Sequence, residues 1–236
     1  MGFKFENNEN QPIVYLAVKY QSLIQPLPDF VDGCKTIEVT NPTTKQTKTK
    51  YYRAFAGVEG LITKLSWYEN QVPATNKVLR GYKLYLNVDD SDSPTGFTTA
   101  VLDLPFKSVA YNTFTKVAEN INPEDPLSIS VWVNKDQKPV VTFKQNGKSV
   151  KYKYTKENMG DCPNGVYSNT LGTWDFSAQL EYLKNVVDTV VLPKFNAIGQ
   201  QHITTGSKVN DSDDHGYGSN PDEDGDDSFS VDDLKY

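Results

Sequence analysis

The chain has 236 residues, 37% of them hydrophobic and 12% aromatic, with a formal net charge of −6. That length suits one large domain with a tail, and the plentiful Tyr and Phe favour a β-rich folded body over a wholly disordered chain. Two cysteines, Cys34 and Cys162, do not make a disulfide scaffold, no apolar run is as long as a membrane span, and MGFKFENNENQPIVYLAV is not a secretory signal.

In chain order, alternating apolar and polar residues predict strands at 13–20 (IVYLAVKY), 35–41, 48–55, 81–88 (GYKLYLNV), 97–104, 127–134 (LSISVWVN), 140–145 and 148–154. Gly, Pro, Asn and Asp clusters such as NPTTK, DDSDSPTG and NPEDP separate many of them. Residues 57–68 read either as strand or as short helix. Two helices are predicted. SVAYNTFTKVAENI (108–121) places Phe114, Val117 and Ile121 on one stripe. AQLEYLKNVVDTVVL (178–192) aligns Leu180, Leu183, Val187 and Val190, with Asp175 or Ser177 as N-cap and Pro193 as the stop.

Charge is divided unevenly along the chain. From 204 to 236 there are ten acids against Lys208 and Lys235, a net of −8, which leaves +2 for residues 1–203. The acidic balance therefore belongs to a disordered tail (204–236), too poor in apolar surface to offset its ordering entropy. The body (1–203) has the balance of a domain that binds something anionic.

QNGK (145–148) predicts a two-residue type I′ hairpin. Its register would place Val141, Phe143, Val150, Tyr152 and Tyr154 on a core face. Lys144, Lys151 and Lys153 would then form a row on the other face, with Lys148 beside the turn. An ordinary solvated sheet face would carry the same row. TTKQTKTKYYRAF (43–55) packs Lys45, Lys48, Lys50 and Arg53 among Tyr51, Tyr52 and Phe55. In a strand, Lys50 shares a face with Tyr52, and Tyr51, Arg53 and Phe55 share the other. Cations for phosphates beside flat rings for bases are what sequence-tolerant binding of single strands requires, although edge lysines also discourage aggregation. Lys83, Tyr85 and Trp132 stand on the polar sides of their strands, as a stacking platform would, unless that face is covered by the 178–192 helix.

Catalysis finds little foothold, and the chain is not expected to be an enzyme. His202 and His215 are the only histidines, one at the border of the tail and one inside it. No Cys/His cluster has zinc-ligand spacing, and no Gly-rich phosphate loop occurs, so no metal or cofactor is expected. Asp211 to Asp222 imitates a calcium loop, but His215 stands at the fifth position, no helix flanks it, and Asp-rich disorder yields such matches by chance.

The tail closes on DEDGDDSFSVDDLKY. A lysine-aromatic β-rich body followed by such a tail resembles the bacteriophage-type replicative single-stranded DNA-binding proteins. The resemblance implies a mainly β fold, an OB-fold-like Greek-key barrel with extra strands and two helices. It implies sequence-nonspecific binding of single-stranded DNA in replication, recombination and repair. It implies that Asp222, Glu223, Asp224, Asp226, Asp227, Asp232 and Asp233 meet basic rims of replication partners such as DNA polymerase and helicase–primase. Phe229, Leu234 and Tyr236 would anchor there, and the tail would cover the DNA-binding face when no DNA is bound. The expected setting is the cytoplasm, a host cell's if the chain is viral, with no membrane partner and with a homodimer allowed. The rival reading is a structural or carbohydrate-binding β-sandwich of a virion accessory kind, since rings also stack on sugars. It does not account for the lysines or the tail.

Overall fold

The computed structural model describes residues 13–40, 45–72, 76–88, 98–155, 157–170 and 172–204, the last four as backbone only. The described chain is mainly β. Its strands are β1 (Ile13–Lys19), β2 (Ser22–Leu27), β3 (Lys35–Thr40), β4 (Thr47–Phe55), β5 (Gly57–Gln71), β6 (Val78–Asn87), β7 (Thr99–Pro105), β8 (Leu127–Val133), β9 (Pro139–Gln145), β10 (Lys148–Ser149), β11 (Val166–Ser168) and β12 (Thr173–Asp175). The first ten join one mixed sheet in the order β10-β9-β8-β5-β6-β7-β1-β2-β4-β3. The strands β11 and β12 form a separate hairpin.

The pairings return on themselves. β4 passes through Ala56 into β5, so the path β1–β2–β4/β5–β6–β7 ends on β1 again. The returning pair, β1 with β7, is parallel, with Tyr15 opposite Val101. The ambiguous 57–68 segment is strand. It pairs with β8 through Gly57–Gly60 and with β6 from Leu61 onward, with a register break between Ile62 and Lys64. Glycine at 60 lets the strands approach: a Cβ there would stand 2.3 Å from the Asn87 carbonyl oxygen.

Alternation sets the core as expected. Tyr82, Leu84 and Leu86 of β6 and Leu102 and Leu104 of β7 are fully buried. They pack against α1 (Val109–Val117), a 3₁₀ turn at Ala118–Asn120, and the helical segment that begins with α2 (Ser177–Val186). The Ser108 side chain caps α1 by accepting from the Tyr111 N–H, and Phe114, Val117 and Ile121 are buried as the stripe predicts.

Pro193 does not stop the second helix. A π-turn at Val187–Val191 precedes α3 (Leu192–Thr204), with the Leu192 N–H bonded five residues back to the Val187 carbonyl. Widening the helix there accommodates a residue that has no N–H and whose ring would crowd the preceding turn. The extra residue also shifts the stripe: Val191 is buried, and Val190, expected inside, is 52% exposed. At the start of α2, Phe176 occupies the N-cap with no side-chain bond, while Asp175 accepts from the Ser177 N–H.

The Asn146-Gly147 hairpin forms, both residues having positive φ, with Gln145 opposite Lys148 as expected. The strand predicted for 148–154 nevertheless ends at Ser149. Val150 still donates to the Phe143 carbonyl, but Lys153 donates to Lys116 of α1, and Asn120 binds the Lys151 carbonyl. The helix draws the chain off the sheet. Lys151 and Lys153 thus form no row with Lys144, and Tyr152, expected in the core, is exposed, whereas Tyr154 is buried. The strand β2 was not anticipated, because Pro26 and Pro28 punctuate its sequence.

Candidate nucleic-acid interface

Neighbouring strands share faces through their register, so the side opposite the core can be followed across β5, β6, β7 and β1. One transverse row is Lys64, Tyr85, Val101 and Tyr15, each paired with the next. The next row holds Ser66, Lys83 and Asp103. On β1, Ala17 and Lys19 continue the alternation, and Ala17 faces Ile24 of β2, which faces Ala54 of β4. Tyr52 and Lys50 lie on that same side of β4. The register thus brings Lys50 and Tyr52, two of the sequence candidates, onto one face with Lys83 and Tyr85, two others far away in the chain.

The geometry pairs cations with rings. The Lys64 ammonium lies 5.6 Å from the Tyr85 ring centre, and that of Lys83 lies 5.8 Å from the Tyr68 ring centre. Tyr52 meets Tyr20 with ring centres 5.3 Å apart. Val101, the ladder partner of both Tyr85 and Tyr15, is fully buried, and the two neighbouring strands carry one ring each, of which Tyr15 is exposed. Strand spacing places those rings roughly 10 Å apart at the backbone. The helices do not cover this face by the route considered from sequence: α2 and the π-turn pack on the core side, where the Tyr82 hydroxyl donates to Asp188 at 2.6 Å.

Asp103 is the acid set among these lysines. Tyr68 donates its hydroxyl to the Asp103 carboxylate at 2.8 Å. Burial raises the Asp103 carboxyl above its ordinary range, opposed by that hydrogen bond and by the charges of Lys83 and Lys19. The Tyr68 hydroxyl is also raised, first by burial and then by the Asp103 charge.

The remaining candidates are spread out. Lys45 precedes β4 with a left-handed backbone (φ 57°), and Lys48 is exposed on β4 with the parity of Lys50. Tyr51, Arg53 and Phe55 take the other side of β4, where Phe55 packs on the core and Tyr51 contacts the Phe30 ring. Trp132 and Lys144 share the outer side of β8 and β9. Trp132 is 52% exposed, with its indole N–H bonded to Thr142 at 3.0 Å. Lys148 flanks the hairpin, and Lys151 and Lys153 sit on the departing segment. The tail candidates, Asp222 through Tyr236, lie outside the described residues, as does the calcium-like stretch.

Sequence reasoning passed over Tyr15, Lys19, Lys64 and Tyr68. The signal for the first two was present, since Tyr15, Ala17 and Lys19 alternate with buried Val14 and Leu16. The last two were hidden by the helix-or-strand ambiguity. Among the described residues no group of three His, Cys, Asp or Glu side chains could hold a metal ion. No described helix is long and apolar enough to cross a membrane. No protein-family model, curated protein or solved structure matches this chain.

Proposed function

We propose that this chain binds single-stranded DNA without sequence preference, in the service of DNA replication, recombination and repair, through the lysine-tyrosine face of the β5–β6–β7–β1 sheet. The row Lys64–Tyr85–Val101–Tyr15 carries the reading. It offers rings for unstacked bases and, beside them, an ammonium for the phosphates that connect those bases. Duplex DNA keeps its bases from the rings and competes poorly.

An OB-fold-like unit fits the connectivity. A meander (β5–β6–β7), then a helix (α1), then a hairpin (β8–β9) are joined by β5, which pairs with both β6 and β8. The second and third strands of such a unit, here β6 and β7, supply its ligand face. The departure is at closure, where the parallel neighbour of β7 is β1 and not β9. In this reading the acidic tail covers the face when no DNA is bound. When DNA displaces it, Phe229, Leu234 and Tyr236 are offered to replication partners in the cytoplasm.

Fluorescence anisotropy with labelled oligo-dT and a duplex of equal length tests the proposal on the full chain. The expected result is preference for the single strand, with log affinity falling linearly with log salt. Absence of oligo-dT binding at low salt ends the nucleic-acid reading and turns attention to glycans.

A further inference from the structure

We propose that Asp103 is a built-in competitor for phosphate: its negative charge offsets those of Lys83 and Lys19, its carboxylate fixes the Tyr68 ring, and it so sets how tightly the face holds a single strand. The inference rests on the single-strand reading above and concerns a residue that reading does not use.

Three elements converge on this carboxylate. From β5, Tyr68 donates its hydroxyl at 2.8 Å. From β6, Lys83 stands directly across the ladder from Asp103 and also lies over the Tyr68 ring. From β1, Lys19 adds its charge, and on β7 itself the Leu104 N–H donates to the carboxylate. A carboxylate in this place has no part in the core: Leu102 and Leu104, its neighbours in sequence, point the other way and are fully buried. A phosphate drawn to Lys83 and Lys19 would meet this like charge, which repels it.

The carboxyl is mostly withdrawn from water, and its proton is held above the usual carboxylate range despite the cations. The sign follows. As pH falls through that raised range, Asp103 becomes neutral, its charge no longer offsets those of Lys83 and Lys19, and affinity for a polyanion rises. The step belongs to Asp103 alone when wild type is compared with Asp103→Asn. The difference cancels the tail carboxylates and both histidines, and the amide oxygen still accepts from Tyr68.

The experiment measures full-chain binding to labelled oligo-dT from pH 4.5 to 8 at two salt concentrations, for wild type, Asp103→Asn and Tyr68→Phe. Asp103→Asn should bind roughly three- to tenfold more tightly at neutral pH, as removal of one nearby like charge predicts. Its salt slope should steepen by roughly 0.7 for each lysine that then meets a phosphate. The wild-type step should be missing from its profile. Tyr68→Phe keeps the ring but removes a bond that holds the carboxylate charged, so its step should move to higher pH. That variant carries the test if Asp103→Asn melts too low to use. Parallel profiles and equal affinities for wild type and Asp103→Asn, or an unmoved step in Tyr68→Phe, overturn the proposal while leaving the single-strand reading intact. Failure of wild type to bind at any pH instead removes the reading on which it rests.

Discussion

The side-chain oxygen of Asn196, in α3, accepts a hydrogen bond from the backbone N–H of Leu65, in β5, at 2.8 Å. Leu65 follows the register break of β5, and its N–H is satisfied by a helix instead of a strand. Three residues further along α3, Gly199 lies so close that a Cβ would stand 1.8 Å from the Thr63 carbonyl oxygen. Asparagine and glycine on one helical turn thus seat α3 against the irregular part of β5.

Asn196→Ala should therefore leave a shielded amide without a partner and cost about 1–3 kcal/mol of stability. Urea unfolding followed by tryptophan fluorescence reads this directly. A midpoint equal to wild type would mean that water replaces the asparagine.

The π-turn makes neighbouring valines unequal. Val191→Ala removes buried methyl groups and should cost about 1–3 kcal/mol, whereas Val190→Ala, on the exposed side, should stay within about 0.5 kcal/mol. Thermal melts of the two variants check the helix register. Equal losses would restore the unbroken stripe expected from sequence.

The proposed face makes a matching prediction about binding. Tyr85→Ala should weaken oligo-dT binding by about 1–3 kcal/mol, the worth of one stacked base, with little change in salt dependence. Lys64→Ala should instead flatten the salt slope by about 0.7. Trp132→Ala, on the other arm of the sheet, should matter less than Tyr85→Ala, and the reverse order would move the binding surface to β8 and β9.

The Cys162 thiol should be slow to react. Burial pushes the Cys162 thiol up to about 11, against a partial opposing effect of the Lys116 charge. In a Cys34→Ser background, alkylation of Cys162 in the native protein should be slow at pH 8 and accelerate about tenfold per pH unit toward pH 11. The same preference for the protonated form means that folding loses stability as pH rises from about 9, the ordinary thiol value, toward 11. Rapid labelling at pH 8 would show that Cys162 is reached by local opening.

Local chemistry was legible wherever it acted locally. The run of Tyr82, Leu84 and Leu86 marked the core face of β6, Asn146-Gly147 marked a hairpin, and the spacing of Phe114, Val117 and Ile121 marked α1, each through a rule that spans a few residues. What could not be read depended on distant partners. The 148–154 strand is well patterned but yields to α1, because Lys116 and Asn120 bind the backbone at Lys153 and Lys151. Pro193 is a stop signal that a wider turn accommodates. The candidate face was legible only in fragments: Lys50 with Tyr52 and Lys83 with Tyr85 were each visible as pairs, but only the ladder through β2, β1 and β7 places them on one surface.

That ladder also sets an order of events. Tyr15 and Val101 are partners although most of the sheet is synthesised between them, so their parallel pairing is among the costliest loops to close. Hairpins such as β8–β9 can form early and alone, whereas β1 must wait for β7. The row that carries the proposed activity is completed by this slow, long-range pairing. A nascent or partly refolded chain would then hold its lysines and tyrosines on separate pieces, and gain affinity for a single strand only when the sheet is complete.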